Sequence, residues 1–188
     1  MGLELAEQFD WKLPDVILYP TGGGTALIAM WKAFKELREM GFLDSQTMPR
    51  MYAVQSDGCQ PMVTAFEAGE RFATRHENAK TIASGMRVPT ALGDFMVLDT
   101  VRESNGGAIA VEEARLIEFQ RSVAAAEGLM ICPEAATCVG ALEKLVESKE
   151  VSASDRVVIF NTAAGQKYFG SGKLQGCLLY TSPSPRDS

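Results

Sequence analysis

No stretch of this 188-residue chain stays apolar for long. Its longest apolar runs, such as Val16 to Tyr19 and Leu129 to Cys132, fall far short of the roughly 20 residues that a membrane helix requires. Met1 to Asp10 is acidic rather than basic and apolar, which is unlike a secretory leader. Cysteine is scarce: the four residues at 59, 132, 138 and 177 lack CxxC spacing and are joined by a single histidine, His76. Neither a zinc site nor a disulfide framework follows from that pattern, and reduced thiols are expected. Positive charge is in deficit, with 18 Lys and Arg against 24 Asp and Glu and a net charge of -6. No global field therefore draws in nucleic acid or an anionic membrane, and neither is expected as a partner. Two familiar phosphate loops are missing as well, because neither GxGxxG nor GxxxxGK[ST] occurs. A nicotinamide enzyme and an NTPase lose ground accordingly, and the expected compartment is the cytoplasm.

What is present is an ordinary globular composition, 46% hydrophobic and 22% charged, long enough for one domain with a sizeable core. Val16 to Tyr19 reads as a buried strand, broken by Pro20 to Thr25. Leu27, Met30, Trp31, Phe34 and Leu37 then recur at helical spacing, with Lys32, Lys35 and Arg38 on other faces. Met51 to Gln55 is a second strand, and Pro61 to Ala68 is a helix opened by its proline. Gly69 to Asn78 is charged and expected to be exposed; it contains His76. Asp94 is placed to cap a helix that ends at Ser104 to Gly107, before a short strand at Ala108 to Val111. Glu112 to Glu127 predicts a helix, Leu129 to Cys132 a strand, Pro133 onward a helix, and Val157 to Phe160 the last strand. This alternation predicts an α/β fold, a mostly parallel sheet layer with helices on both faces and a ligand where strands hand over to helices.

The strongest chemical signal is Pro20-Thr21-Gly22-Gly23-Gly24-Thr25 between a buried strand and an amphipathic helix. Successive glycines let backbone amides approach a ligand closely, and the helix N-terminus aims unpaired N–H groups and a positive dipole end at the same place. A phosphate fits, with Thr21 and Thr25 as further hydroxyl donors; a turn needed only for packing is the bland alternative. A second candidate is Asn161-Thr162 after the last strand, where Thr162 either meets a ligand beside the glycine turn or merely caps a turn. A third is Cys132-Pro133-Glu134, in which Glu134 reads as matched to a helix dipole rather than as catalytic. Cys59 and Cys138, among apolar or small neighbours, read as buried thiols rather than nucleophiles.

Together, Tyr19-Pro-Thr-Gly-Gly-Gly-Thr25, Trp31-Lys-Ala-Phe34, Cys132-Pro-Glu134 and Asn161-Thr162 resemble the threonine synthase family, pyridoxal-phosphate enzymes of fold type II, from about Asp10 to about Tyr168. The resemblance implies most of the large domain of such an enzyme over residues 1–169. It implies pyridoxal 5'-phosphate as cofactor, with Thr21 opening the loop and the amides of Gly22, Gly23, Gly24 and Thr25 holding the cofactor phosphate. It also implies the Thr162 hydroxyl against the pyridine nitrogen, where a neutral partner tempers the electron sink. The activity implied is that of a carbon–oxygen lyase acting on phosphates, which turns O-phosphohomoserine and water into threonine and phosphate. Threonine or diaminopropionate ammonia-lyases and cysteate synthase share the glycine turn and stand as alternatives, as does a non-catalytic phosphate-ligand module.

One departure bears on activity. The family's Schiff-base lysine lies in a Ser-Phe-Lys-Asp type segment upstream of the glycine turn, whereas here only Lys12 precedes the turn. Lys167 follows the Asn161-Thr162 motif and is not its replacement. The expectation is a C-terminal portion of the enzyme, inactive alone, that holds no catalytic lysine and belongs to a parent acting on a small phosphorylated amino acid as a homodimer. Residues 170–188, where Gly, Ser and Pro surround one apolar patch, are expected to be a disordered and non-native tail.

Overall fold

The computed structural model describes residues 1–43 and 47–168. The expected tail at 170–188 lies outside the described residues. The chain begins with a short helix, α1 (Gly2–Gln8), and then enters β1 (Val16–Pro20) and α2 (Thr25–Glu39). β2 (Arg50–Ser56), α3 (Pro61–Glu67), α4 (Asp94–Glu103) and β3 (Gly107–Val111) follow. α5 (Leu116–Glu127), α6 (Pro133–Glu147) and β4 (Val157–Ile159) complete the layer. The sheet is parallel throughout, in the order β3-β2-β1-β4.

The period-two alternation of the central strands builds two cores, one on each face. Ile17, Met51 and Ala53 point to the face covered by α1, α2, α3 and α4, where Phe34, Leu27, Met30 and Leu98 are fully buried. Val16, Leu18, Tyr52 and Val54 point to the other, covered by α5 and α6 through Leu116, Phe119, Ala135 and Leu145. The expected α/β layer with helices on both faces is thus what the sequence folds into. Strands buried on both faces read as near-continuous apolar runs, which is how β1 and β2 appear.

Three expectations are corrected. Leu129 to Cys132 forms no strand; Ile131 makes one isolated bridge to Ala164, and its carbonyl accepts from Gln120 Nε2 at 2.8 Å. The run meets the turn that follows β4 instead, where the Gly165 N–H donates to the Met130 carbonyl at 2.8 Å, so it is held by that turn rather than along a strand. Asp94 is the first residue of α4 rather than its N-cap, which is Gly93; one carboxylate oxygen accepts the first-turn Phe95 N–H at 2.7 Å and the other accepts the Ala73 N–H at 2.6 Å, tethering the preceding loop. The helix expected from Glu112 opens as a 3₁₀ turn, Glu113–Arg115, before α5 begins. Cys59 and Cys138 are buried as expected, and burial pushes both thiols up, removing them as nucleophiles.

β3 is reached through a tight crossing. A side chain at Gly106 would overlap the backbone of Met51 on β2. Gly106→Ala is expected to lower the unfolding free energy by about 1–3 kcal/mol, measured by urea denaturation; a midpoint equal to that of the wild type would show that the two backbones can separate without cost.

Candidate functional site

The strand order fixes where a ligand can sit. From β1 the chain steps outward to β2 and β3, then returns to place β4 on the opposite side of β1. Such a reversal opens a crevice at the carboxyl ends of the two strands that flank it. Here those ends carry the two motifs. Pro20 closes β1 and runs into the glycine turn, while β4 pairs with β1 in the register Val16↔Val157 and leads into Asn161 and Thr162. A cleft of about 370 Å³ lies there, walled by Gly22, Gly23, Gly24 and Thr25 on one side and by Glu134, Thr162 and Tyr168 on the other.

Each turn residue has its own reason to be where it is. Gly24 is the N-cap of α2 at φ 77, in the left-handed region, and no side chain caps the helix. The first amides of α2 consequently have no intrahelical acceptor and line the cleft. A Cβ at Gly22 would stand 2.7 Å from the Gly85 carbonyl oxygen. Gly23 is different, because it is exposed, its φ is not left-handed and a Cβ there would meet nothing within 4 Å. Nothing in the fold requires glycine at 23, whereas a ligand pressed against the backbone would.

Thr21 stands apart from the expected donors. It is 0% exposed and its hydroxyl donates to the Tyr19 carbonyl at 2.8 Å, so it holds the loop and offers no hydroxyl to the cleft. Thr25 and Thr162 are exposed on the cleft wall. The Thr162 hydroxyl lies 3.7 Å from Cys132 Sγ, and the Asn161 side chain accepts the Cys132 N–H at 3.2 Å. Cys132 Sγ also caps α6 by accepting from Ala135 N. The structure therefore brings together Gly22, Gly23, Gly24, Thr25 and Thr162, and sets Thr21 behind them. His76 lies in the charged segment away from the cleft lining.

Several residues of the site escaped the sequence. Gln55, fully buried at the end of β2, donates through Nε2 to the Thr21 carbonyl at 3.0 Å and accepts the Met62 N–H at 2.9 Å. One amide thus fixes the glycine turn to the start of α3. Glu113 gathers the Thr81 hydroxyl and the Ile82 N–H, each at 2.6 Å, and so shapes the loop that delivers Gly85 and Met86 to the cleft. Glu134, a first-turn acid as expected, is 3% exposed, a burial that dipole matching does not require. Tyr168 closes the cleft, and burial first, then hydrogen bonding to Glu134, pushes its phenol up to about 12. Among the described residues no lysine lines the cleft, no group of acids, Cys and His is arranged for a metal, and no helix is long and apolar enough to cross a membrane.

Residues 1–163 match the family model described as pyridoxal-phosphate dependent enzyme. The chain is 31% identical over 167 residues to threonine synthase of Methanocaldococcus jannaschii, covering 89% of this chain and 41% of that protein. It is 33% identical over 162 residues to threonine synthase of Methanosarcina acetivorans, covering 86% and 40%. The chain thus spans about two fifths of the length of these curated relatives. Among solved structures, the processed form of threonine deaminase isoform 2 from Solanum lycopersicum superposes with a TM-score of 0.67 at 16% identity, over 87% of this chain and 43% of that one.

Two outcomes test this geometry. Gln55→Leu should cost about 2–4 kcal/mol in urea unfolding, because buried backbone groups of the turn and of α3 lose their partners; a cost below that of an ordinary surface substitution would mean the turn holds its shape unaided. The Tyr168 phenol has a folded value above the unfolded one near 10, so its contribution to stability is complete below pH 10 and is lost as pH rises towards about 12. Tyrosinate absorbance of the folded chain should lag that of the urea-unfolded chain, and Tyr168→Phe should remove the most alkaline part of the lag.

Proposed function

Because the chain belongs to the pyridoxal-phosphate dependent enzyme family, we propose that Gly22, Gly23, Gly24 and Thr25 hold the phosphate of pyridoxal 5'-phosphate and that the chain is the C-terminal portion of a threonine synthase. The observation that carries the first half is Gly23, a glycine that the fold itself does not need, set among the uncapped amides of α2. Support for the second half is the 31% and 33% identity to threonine synthases over most of the chain, together with the Tyr-Pro-Thr-Gly-Gly-Gly-Thr wording of the turn.

The residues present suit the cofactor. A dianionic phosphate gains from several N–H donors and the positive end of a fifteen-residue helix. Thr162, exposed on the far wall, offers a neutral hydroxyl to the ring nitrogen and so leaves that nitrogen without an ionic partner. Thr21 and Gln55 act behind the loop, orienting it through the Tyr19 carbonyl and the Thr21 carbonyl. When bound, the cofactor supplies an electron sink for charge developed next to the substrate amine. In a threonine synthase that sink serves the conversion of O-phosphohomoserine and water to threonine and phosphate.

With no lysine on the cleft wall among the described residues, this chain binds without turning over. The amine required for covalent attachment, and the groups that grip the substrate phosphate, come from a segment upstream in the parent enzyme. Calorimetry with pyridoxal 5'-phosphate tests the reading. The wild-type chain should bind, and Gly23→Asp, which sets a carboxylate where the phosphate lies, should weaken binding by about a hundredfold. Equal affinity in the variant would remove the glycine turn as the phosphate site.

A further inference from the structure

Glu134 is the acid of the cleft wall, and although the Gly85 amide and the Tyr168 phenol both bond to its carboxyl, one of its two oxygens is buried without a partner. It lies in the first turn of α6, is 3% exposed and contributes to the cleft wall opposite the glycine turn. One carboxyl oxygen, Oε1, accepts the Gly85 N–H at 2.8 Å. The other, Oε2, is buried and has no hydrogen-bond partner among the described residues. Leaving a buried polar oxygen unpaired is costly, and native proteins rarely tolerate it without a use. The helix dipole does not account for it, since a dipole-matched acid needs neither burial nor an unpaired oxygen.

The surroundings are built to hold this carboxyl in one pose. Gly85 comes so close that a Cβ there would lie 3.1 Å from Oε1. The Gly85 loop is itself pinned by Glu113 through Thr81 and Ile82. Thr137, one turn along α6, donates its hydroxyl to the Glu134 carbonyl at 2.6 Å and fixes the backbone that carries the side chain. A rigidly mounted acceptor in a wall of a ligand cleft, with its outer oxygen unspent, is the arrangement expected of a contact completed by the ligand.

We infer that Glu134 contacts the bound ligand directly, its Oε2 accepting a hydrogen bond from a hydroxyl group on the ring of a phosphorylated pyridine whose phosphate rests on Gly22 to Thr25. The inference rests on the reading of that turn as the phosphate cradle. It assigns the ring a second polar contact besides Thr162, and it makes recognition of the ligand depend on both ends of the cleft. A free phosphate ion would engage only the glycine turn, whereas the pyridine phosphate would engage both.

The test uses 4'-deoxypyridoxine 5'-phosphate, which keeps the ring and phosphate but lacks the aldehyde and so cannot bond covalently to any lysine. Inorganic phosphate serves as the probe of the cradle alone. Affinities of both are measured by calorimetry for the wild-type chain, Glu134→Gln and Gly23→Asp, and the urea midpoints of the unliganded proteins are compared. Glu134→Gln keeps an acceptor for Gly85 but presents an N–H₂ donor where Oε2 accepted. It is expected to weaken the pyridine phosphate by about tenfold or more, to leave inorganic phosphate binding unchanged, and to leave the unliganded midpoint at or above that of the wild type. Gly23→Asp is expected to weaken both ligands. An unchanged affinity of Glu134→Gln for the pyridine phosphate would overturn the inference while leaving the cradle in place. A variant that loses both ligands together with its midpoint would also overturn it, since Glu134 would then be holding the fold. If the wild-type chain binds neither probe, the cradle reading fails and this inference falls with it.

Discussion

The candidate site depends on one buried side-chain amide. Gln55 is the penultimate residue of β2, yet its two polar atoms serve other elements: Nε2 holds the Thr21 carbonyl at the mouth of the glycine turn, and Oε1 takes the first free amides of α3, Met62 and Val63. A turn of three glycines has little conformational preference of its own, and ordering it costs more entropy than ordering any other three residues. The fold offsets that cost from outside. Gln55 fixes one end of the turn, the Thr21 hydroxyl fixes the same end to the Tyr19 carbonyl, and α2 fixes the other. In a dry interior such bonds are stronger than in water, and losing any one leaves its partner stranded. A flexible sequence becomes a preorganised donor array because its neighbours are rigid.

Sheet topology does the rest. The same register offset that pairs Val16 with Val157 carries Thr21 to Thr162, so the two motifs arrive at the same height without any contact between them being specified locally. β4 is only three residues long, and its worth lies in position rather than in strength. It occupies the side of β1 left vacant by the outward run of β2 and β3, and in doing so opens the crevice. Glu134 and Cys132 arrive at that crevice by a different route, on the helix that covers the sheet face beside it.

This division explains what was legible in the sequence. β1, the glycine turn and α2 are local: an apolar run, glycines and a 3.6-residue period each announce themselves within a window of a few residues. The cleft, as far as it is made of Gly22 to Thr25 and Thr162, was legible for the same reason. Leu129 to Cys132 carries an equally apolar signal, but its backbone bonds go to the turn after β4 and to the Gln120 side chain, and pairings between such distant segments leave no mark in the local sequence. Gln55 could not be singled out, since a glutamine at the end of a strand has no local mark; its role exists only because Thr21 and Met62 come within 3.0 Å of it. Glu134 was visible as a first-turn acid but its burial was not, because burial is a tertiary fact and the first turn of a helix is where an exposed acid is ordinarily found.

Sorting the site by what the fold needs gives a sharper division than sorting it by motif. Gly22, Gly24, Thr21 and Gln55 are all accounted for by the protein: close approach to Gly85, a left-handed φ, and bonds that join three elements. Three features are left over. Gly23 has open space where a side chain could stand, α2 has no side-chain cap, and Glu134 Oε2 is buried without a partner. Each alone is a small anomaly of the kind every protein contains. All three border the same cleft, at the one crevice that the strand order creates. Departures from local rules collect where selection has acted on something other than folding. The three call for complementary things: close backbone contact, a negative group for free amides, and a donor for a buried oxygen. A single molecule with a phosphate at one end and a polar ring at the other answers all of them.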